Sequence, residues 1–300
     1  MSTHKTALTG ATGFIGRHIA EDLTADRTVR CWHRRQSDRG GFMRPDKIEW
    51  VEGGLNDPDA TAALLEGCDA VIHAALYHPA GGFRGGEGDL VEFAEANVLG
   101  TLRLLRAAHE AGVRRFVYVS TCAVHEEILD DRPLDETHPL WPKTHYGAHK
   151  AALEAFVHSF GLGHDMPVCA VRPSGVYGLN RPAGRSKWYD LVKSVAAGGR
   201  VEVSGGGKEV HAADVAKACR LLLEADEDAV RGQAFSCCDG YVSKRRVADL
   251  AKELSGSDAE VVGEASSPKH RIQTGKIEAL GMTFGGDDLL RRTIGELVSA

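Results

Sequence analysis

Thr9-Gly10-Ala11-Thr12-Gly13-Phe14-Ile15-Gly16 is the stretch whose reading decides the fold. It follows a short apolar run, Thr6-Ala7-Leu8, and opens a segment of helical character from Ile15 to Leu23. A strand that turns sharply into a helix presents free backbone N–H groups and a positive dipole end, a geometry that suits a pyrophosphate. Gly10 allows the tight turn, Gly13 lets the backbone approach the phosphates, and Gly16 lets helix and sheet pack closely. The spacing is Gly-x-x-Gly-x-x-Gly rather than Gly-x-Gly-x-x-Gly, so the generic fingerprint fits loosely. The order strand, turn, helix carries the assignment, and Thr12, Phe14 and Ile15 are placed at the dinucleotide with the glycines.

Working outward, Thr28 to Trp32 reads as a second strand. At the end of that strand a dinucleotide fold using NAD carries an acid for the ribose hydroxyls. This chain has His33, Arg34 and Arg35 there. Guanidinium groups match a 2′-phosphate in charge and fork geometry, so NADP is expected to be preferred over NAD. A solvated basic turn is the other reading of the same residues.

Further strands are expected at Ile48–Val51, Cys68–Ala75, Arg115–Thr121 and Val168–Pro173. Helices are expected at Asp57–Glu66, Leu90–Ala111 and Lys143–Phe160. The alternation means an α/β fold, a Rossmann-type doubly wound parallel sheet, with a smaller α+β cap lobe over the strand ends. The dinucleotide-binding domain is expected to span residues 1–174, with about 208–232 returning to it. Residues 175–207 and 233–300 then form the smaller, substrate-binding lobe. Val210–Leu223, in the returning segment, reads as helix, and Ala234–Cys237, in the lobe, as a short strand. The glycine-rich loop from Gly81 to Gly88 is a candidate cover for the cleft.

The net charge of −6 gives no reason to expect nucleic acid or an anionic membrane as partner. No apolar run reaches the roughly 18 residues of a membrane span. The seven cysteines contain no Cys-x-x-Cys, and the first strand begins within a few residues of Met1, so a reduced, cytoplasmic chain is expected. Among fourteen histidines, His145 and His149 stand four apart without a third ligand near in sequence, so no metal is expected.

The sharpest constellation is Thr121 at a strand end with Tyr146 and Lys150 on the next helix. Tyr and Lys four apart share a helix face. An ammonium close to a phenol favours the phenolate, which lowers a pKa of about 10 toward working pH. Tyr146 is then able to take a proton from a hydroxyl or give one to a carbonyl, with Thr121 positioning the same oxygen.

These residues give the chain a resemblance to the extended short-chain dehydrogenase/reductase family, the NAD-dependent epimerase/dehydratase group. The motifs carrying it are Thr9–Gly16, His73-Ala74-Ala75, Asn97–Thr101, Phe116–Thr121, Tyr146–Lys150 and Arg172–Gly178, with Gly207–Ala216 behind them. The resemblance implies Tyr146 as acid/base, Lys150 holding the nicotinamide ribose, and Thr121 polarising the substrate oxygen. It places Leu55, Ala74, Ala75, Asn97, Pro173 and Val176 around the cofactor. It also implies a homodimer across the two helices Leu90–Ala111 and Lys143–Phe160, with Leu104, Ala107, Ala155 and Phe156 as candidates for the shared face.

Three departures bear on the reaction. Sugar dehydratases of the family follow the Thr with Asp and Glu, where this chain has Cys122 and Ala123. The adenine-contacting Asp is replaced by Gly54. Lys208-Glu209-Val210-His211 lacks the arginine common in nucleotide-sugar epimerases. The expected activity is hydride transfer between a nicotinamide and a secondary alcohol or ketone of a small, sugar-like or carbonyl substrate. Nucleotide-sugar epimerisation and a non-catalytic dinucleotide sensor are the alternatives.

Overall fold

The computed structural model describes residues 4–79 and 85–300, so residues 81–84 of the expected cover loop lie outside the described residues. Strand β1 (Lys5–Thr9) leads into helix α1 (Phe14–Leu23), followed by β2 (Thr28–His33) and β3 (Ile48–Glu52). Helix α2 (Pro58–Leu65) precedes β4 (Ala70–His73); α3 (Leu90–Ala94) and α4 (Gly100–Glu110) precede β5 (Arg115–Val119). Next come α5 (His145–His158), β6 (Val168–Pro173), β7 (Gly175–Tyr177), α6 (Tyr189–Ala196), β8 (Arg200–Glu202) and β9 (Gly206–His211). The chain continues through α7 (Ala212–Glu224), α8 (Glu227–Val230), β10 (Gln233–Cys237) and β11 (Gly240–Ser243). It ends with α9 (Lys244–Ser255), β12 (Glu260–Val262), α10 (Gly275–Glu278) and α11 (Gly286–Ser299).

Seven parallel strands form the central sheet in the order β10-β6-β5-β4-β1-β2-β3. The strand order reverses between β1 and β4, which opens a crevice at their carboxyl ends. Strand alternation feeds two cores. Leu8, Cys31, Val117 and Val171 face α1 and α7; Ala7, Trp32, Phe116 and Ala170 face α2, α4 and α5. A third core of Val192, Val195, Val247, Leu250, Leu290 and Ile294 joins α6, α9 and α11 as a smaller lobe.

Three expectations need correction. Residues 233–237 belong to the central sheet rather than to the smaller lobe. Strand β10 pairs in parallel with β6 from Gln233↔Cys169 to Cys237↔Pro173, because its buried run Ala234 to Cys237 supplies the last partner of an otherwise open edge. The helix expected from Val210 starts at Ala212. The His211 ring caps it, Nδ1 accepting from the Ala213 N–H at 3.0 Å, so Val210 and His211 remain strand. The long helix Leu90–Ala111 contains a wide π turn at Glu95–Leu99.

Candidate active site

The glycine loop is built as its spacing requires. Gly10 has φ +76°, and a side chain there would run into the Ala74 carbonyl at 2.7 Å. A Cβ on Gly16 would stand 2.0 Å from the Gly10 oxygen, so α1 reaches β1 only because that position is bare. Gly13 closes the turn by donating to the Gly10 carbonyl at 2.9 Å and caps α1 without any side chain. The first-turn N–H groups of α1 are thereby left for an anion.

This loop borders a cleft of about 410 Å³ over the ends of β1, β2 and β4. Gly10, Thr12, Gly13, His33, Arg34, Leu55, Ala74 and Ala75 all line it. The cleft also takes in Ser37, Asn56 and Tyr77, for which no sequence signal stands out. Phe14 lies outside it, in a small depression with Arg17 and Arg181, and Gly16 packs beneath. Arg35 is turned away, its side chain 88% exposed and paired with Glu52 at 3.3 Å. Asn97, buried in the π turn, accepts from the Tyr77 N–H at 2.8 Å and donates to the Tyr77 and Phe93 carbonyls at 2.9 and 3.0 Å. It therefore holds the wall of the cleft from behind; π turns of this kind recur at functional sites.

A second cavity of about 620 Å³ includes Ile15, Thr121, Cys122, Glu126, Tyr146, Pro173, Val176 and Lys208 in its lining. Thr121 follows β5; its Oγ1 accepts from the Ala123 N–H at 3.1 Å and so turns the chain at the strand end. Thr121 and Tyr146 line the same cavity, and the Thr121 hydroxyl acts on the phenol against the effect of burial. Thr144 caps α5, accepting from the Gly147 N–H at 3.0 Å. Gly147 has to be small, since a Cβ there would meet the Ala123 carbonyl at 2.7 Å. The first turn of α5 thus lies directly on the Thr121 loop.

Lys150 is completely enclosed one turn further on. Its Nζ donates to the Val119 carbonyl at 2.7 Å and lies 4.7 Å from the centre of the Tyr118 ring. Burial lowers its pKa to about 7, with the Glu154 carboxylate acting the other way. The sequence argument has Lys150 lowering the Tyr146 pKa, and the structure corrects this. Burial holds the phenol above its ordinary value, against the Thr121 hydroxyl and with Cys122 adding to the rise. The ammonium is committed to a backbone carbonyl and a neighbouring ring, where burial has already weakened its charge.

Cys122, where the dehydratases have an acid, is half-buried and donates its S–H to the Arg172 carbonyl at 3.0 Å. Burial raises its pKa far above neutrality, so it keeps its proton. Among the described residues no group of three or more His, Cys, Asp or Glu side chains is placed to hold a metal ion. No helix of the described residues is long and apolar enough to cross a membrane.

A glycine-lined cleft at the switch point of a doubly wound sheet, with a buried phenol and a threonine sharing a second cavity, defines an enzyme of the extended short-chain dehydrogenase/reductase type. The chain belongs to the NAD dependent epimerase/dehydratase family, whose model matches residues 6–238. Over 277 residues it is 31% identical to a trifunctional UDP-glucose 4,6-dehydratase/UDP-4-keto-6-deoxy-D-glucose 3,5-epimerase/UDP-4-keto-L-rhamnose-reductase of Arabidopsis thaliana, the match covering 84% of this chain. The match takes in 40% of that relative, so this chain spans about two fifths of its length. A 4-hydroxy-2-methyl-3-oxo-4-farnesyl-3,4-dihydroquinoline-1-oxide ketoreductase of Stigmatella aurantiaca is 31% identical over 268 residues, 86% of this chain and 75% of the relative. The UDP-N-acetylglucosamine 4-epimerase of Methanobrevibacter ruminantium, solved with UDP-N-acetylmuramic acid, shares the fold. Its TM-score is 0.82 at 20% identity, over 100% of this chain and 99% of that one.

Proposed function

We propose that this protein is a reductase or dehydrogenase that moves a hydride between a nicotinamide dinucleotide and a secondary alcohol or ketone. The observation that carries this reading is the juxtaposition of Thr121 and Tyr146 on the wall of the 620 Å³ cavity, with the glycine-lined cleft as a second site at the strand ends. The bare backbone at Gly10 and Gly13 and the open first turn of α1 fit a pyrophosphate. Thr12, Gly13, Ala74 and Ala75 would hold the dinucleotide, and Lys150 its nicotinamide ribose. When bound, that group supplies or accepts the hydride.

The rest of the chemistry belongs to this chain. Thr121 orients the substrate oxygen, and Tyr146 gives it a proton in reduction or removes one in oxidation. A phenol kept above its ordinary pKa is protonated at neutral pH, the form that carbonyl reduction uses. With Cys122 holding its proton and Ala123 beside it, the two positions after Thr121 offer no carboxylate for the elimination step of a dehydratase. The ketoreductase relative supports this choice, and the substrate in its name carries a farnesyl chain, as an apolar cavity would accept.

NADP is the cofactor we favour. Arg34 is exposed at the rim of the cleft and makes no ion pair among the described residues, and no carboxylate replaces His33. A homodimer through α4 and α5 fits the exposed Leu99 and Phe156, whereas Leu104 is core and drops out of the candidates. Seven free thiols suit the cytoplasm.

The test follows reduced-nicotinamide absorbance with a panel of ketones and keto-sugars, using NADPH and NADH in turn. Stoichiometric consumption of NADPH supports the reading. Isomerised substrate with no net change in cofactor would make the protein an epimerase instead.

A further inference from the structure

Three charged side chains reach the catalytic cavity, Glu126, Lys143 and Lys208. Glu126 accepts from the Lys143 and Thr144 N–H groups at 2.5 and 2.8 Å and from the Thr144 hydroxyl at 3.0 Å, which fastens the start of α5. Lys143 is paired with Glu127. Lys208, on β9, has no hydrogen bond or ion pair among the described residues. Alternation along the strand sends its neighbour Glu209 to the other face, where the carboxylate meets Lys187 Nζ at 2.5 and 2.6 Å. The adjacent acid is therefore already used elsewhere.

Lys208 is half-buried, and burial lowers its pKa. Thr121 and Tyr146 line the same cavity, so Lys208 shares it with the reacting groups. The walls around it are Ile15, Ile128, Leu134, Val176 and Ile272, and a parallel bridge between Leu134 and Ile272 closes one side. A half-buried cation among apolar side chains is costly unless an anion joins it.

We propose that Lys208 selects the substrate by receiving an anionic group, a carboxylate or a phosphate monoester, borne on the same small molecule as the reacting carbonyl. The apolar body of that molecule lies against the isoleucine-rich walls. The assignment rests on the hydride-transfer reading for the identity of the reacting group, but its own test is a binding measurement.

Protein loaded with oxidised cofactor is titrated by calorimetry with two matched pairs: phenylpyruvate against ethyl phenylpyruvate, and dihydroxyacetone phosphate against dihydroxyacetone. The acidic member of at least one pair should bind about ten- to a hundred-fold more tightly in the wild type, and which pair does so distinguishes carboxylate from phosphate. Lys208→Met should erase the difference while leaving the neutral member unchanged, and Lys208→Arg should keep it. Equal binding within both pairs, no binding of either acid, or equal weakening of both members by Lys208→Met would overturn the proposal. Turnover with reduced cofactor is measured separately. Charge-selective binding without turnover of any of the four would keep Lys208 as the anion site and sink the hydride-transfer reading.

Discussion

Arg172 on β6 and Glu154 on α5 form an ion pair closed off from solvent, at 2% and 0% exposure. Nη2 donates to Oε2 at 2.5 Å, and Nε donates to the two carboxylate oxygens at 2.9 and 3.1 Å. Ser120, next to Thr121, donates its hydroxyl to the same carboxylate, and Arg172 Nη1 meets His125 Nε2 at 3.1 Å. The helix carrying Tyr146 and Lys150 is thereby tied to the ends of β5 and β6. Removing one partner leaves a buried charge without its counter-ion, which costs about 3–5 kcal/mol. Glu154→Gln should lower unfolding free energy in urea by that order, and a Glu154→Met/Arg172→Met double variant should recover most of it. A single-variant loss below about 1 kcal/mol would mean the pair does not fix the helix.

Tyr146→Phe keeps the ring beside the Thr121 loop and removes the hydroxyl proposed to exchange a proton with a bound oxygen. On the proposed function, kcat should fall by about 10²–10⁴-fold with cofactor affinity close to wild type. A variant that retained half the wild-type rate would exclude the phenol as acid/base.

Much of this was legible because it rests on short-range rules. Gly10, Gly13 and Gly16 announce strand, turn and helix in eight residues, and Tyr146 and Lys150 share a face by spacing alone. What escaped depends on contacts far apart in sequence. Nothing in Ala234–Cys237 tells whether it extends the central sheet or starts a new one; that is decided by the open edge of β6, more than 60 residues earlier. The state of Lys150 escaped for a similar reason. Spacing places it near Tyr146, but only the packed structure shows the Val119 carbonyl and Tyr118 ring that claim its ammonium. Lys208 gains meaning only when Glu209 is seen turned toward Lys187.

Arg34→Ala tests the cofactor choice. A charge-assisted contact to a 2′-phosphate is worth around 1.5–3 kcal/mol, so about ten- to a hundred-fold in NADP affinity should disappear while NAD affinity changes little. Arg35→Ala should leave both unchanged, since that side chain points to solvent beside Glu52. Wild-type protein that bound NAD as tightly as NADP would reduce the basic turn to a solvated surface.

The last prediction concerns acid stability and starts from His73, buried at the end of β4. Its Nδ1 lies 2.6 Å from Thr9 Oγ1, and its Nε2 lies 2.8 Å from Thr101 Oγ1. Thr9 Oγ1 already accepts from the Ala74 and Ala75 N–H groups at 3.1 Å each, so its proton goes to Nδ1 and the ring is neutral with hydrogen on Nε2. A second ring proton would face filled lone pairs, and burial together with the Lys150 charge lowers the pKa to about 3. The unfolded chain titrates near 6.5, so between these values it binds more protons than the folded one and stability rises with pH. The contribution is complete above about pH 6.5 and is lost as pH falls toward 3; at pH 5.5 the loss is roughly 1.4 kcal/mol. His125, His149 and His211, lowered to about 4, 3 and 4 mainly by burial, act in the same direction. Urea unfolding of wild type and His73→Gln at pH 7.5 and 5.5 isolates the effect, because the slope with pH is read independently of the variant's own baseline. The wild type should lose roughly 1.4 kcal/mol more than the variant over that interval, and parallel slopes would show that His73 takes up its proton as readily in the folded protein as in the unfolded chain.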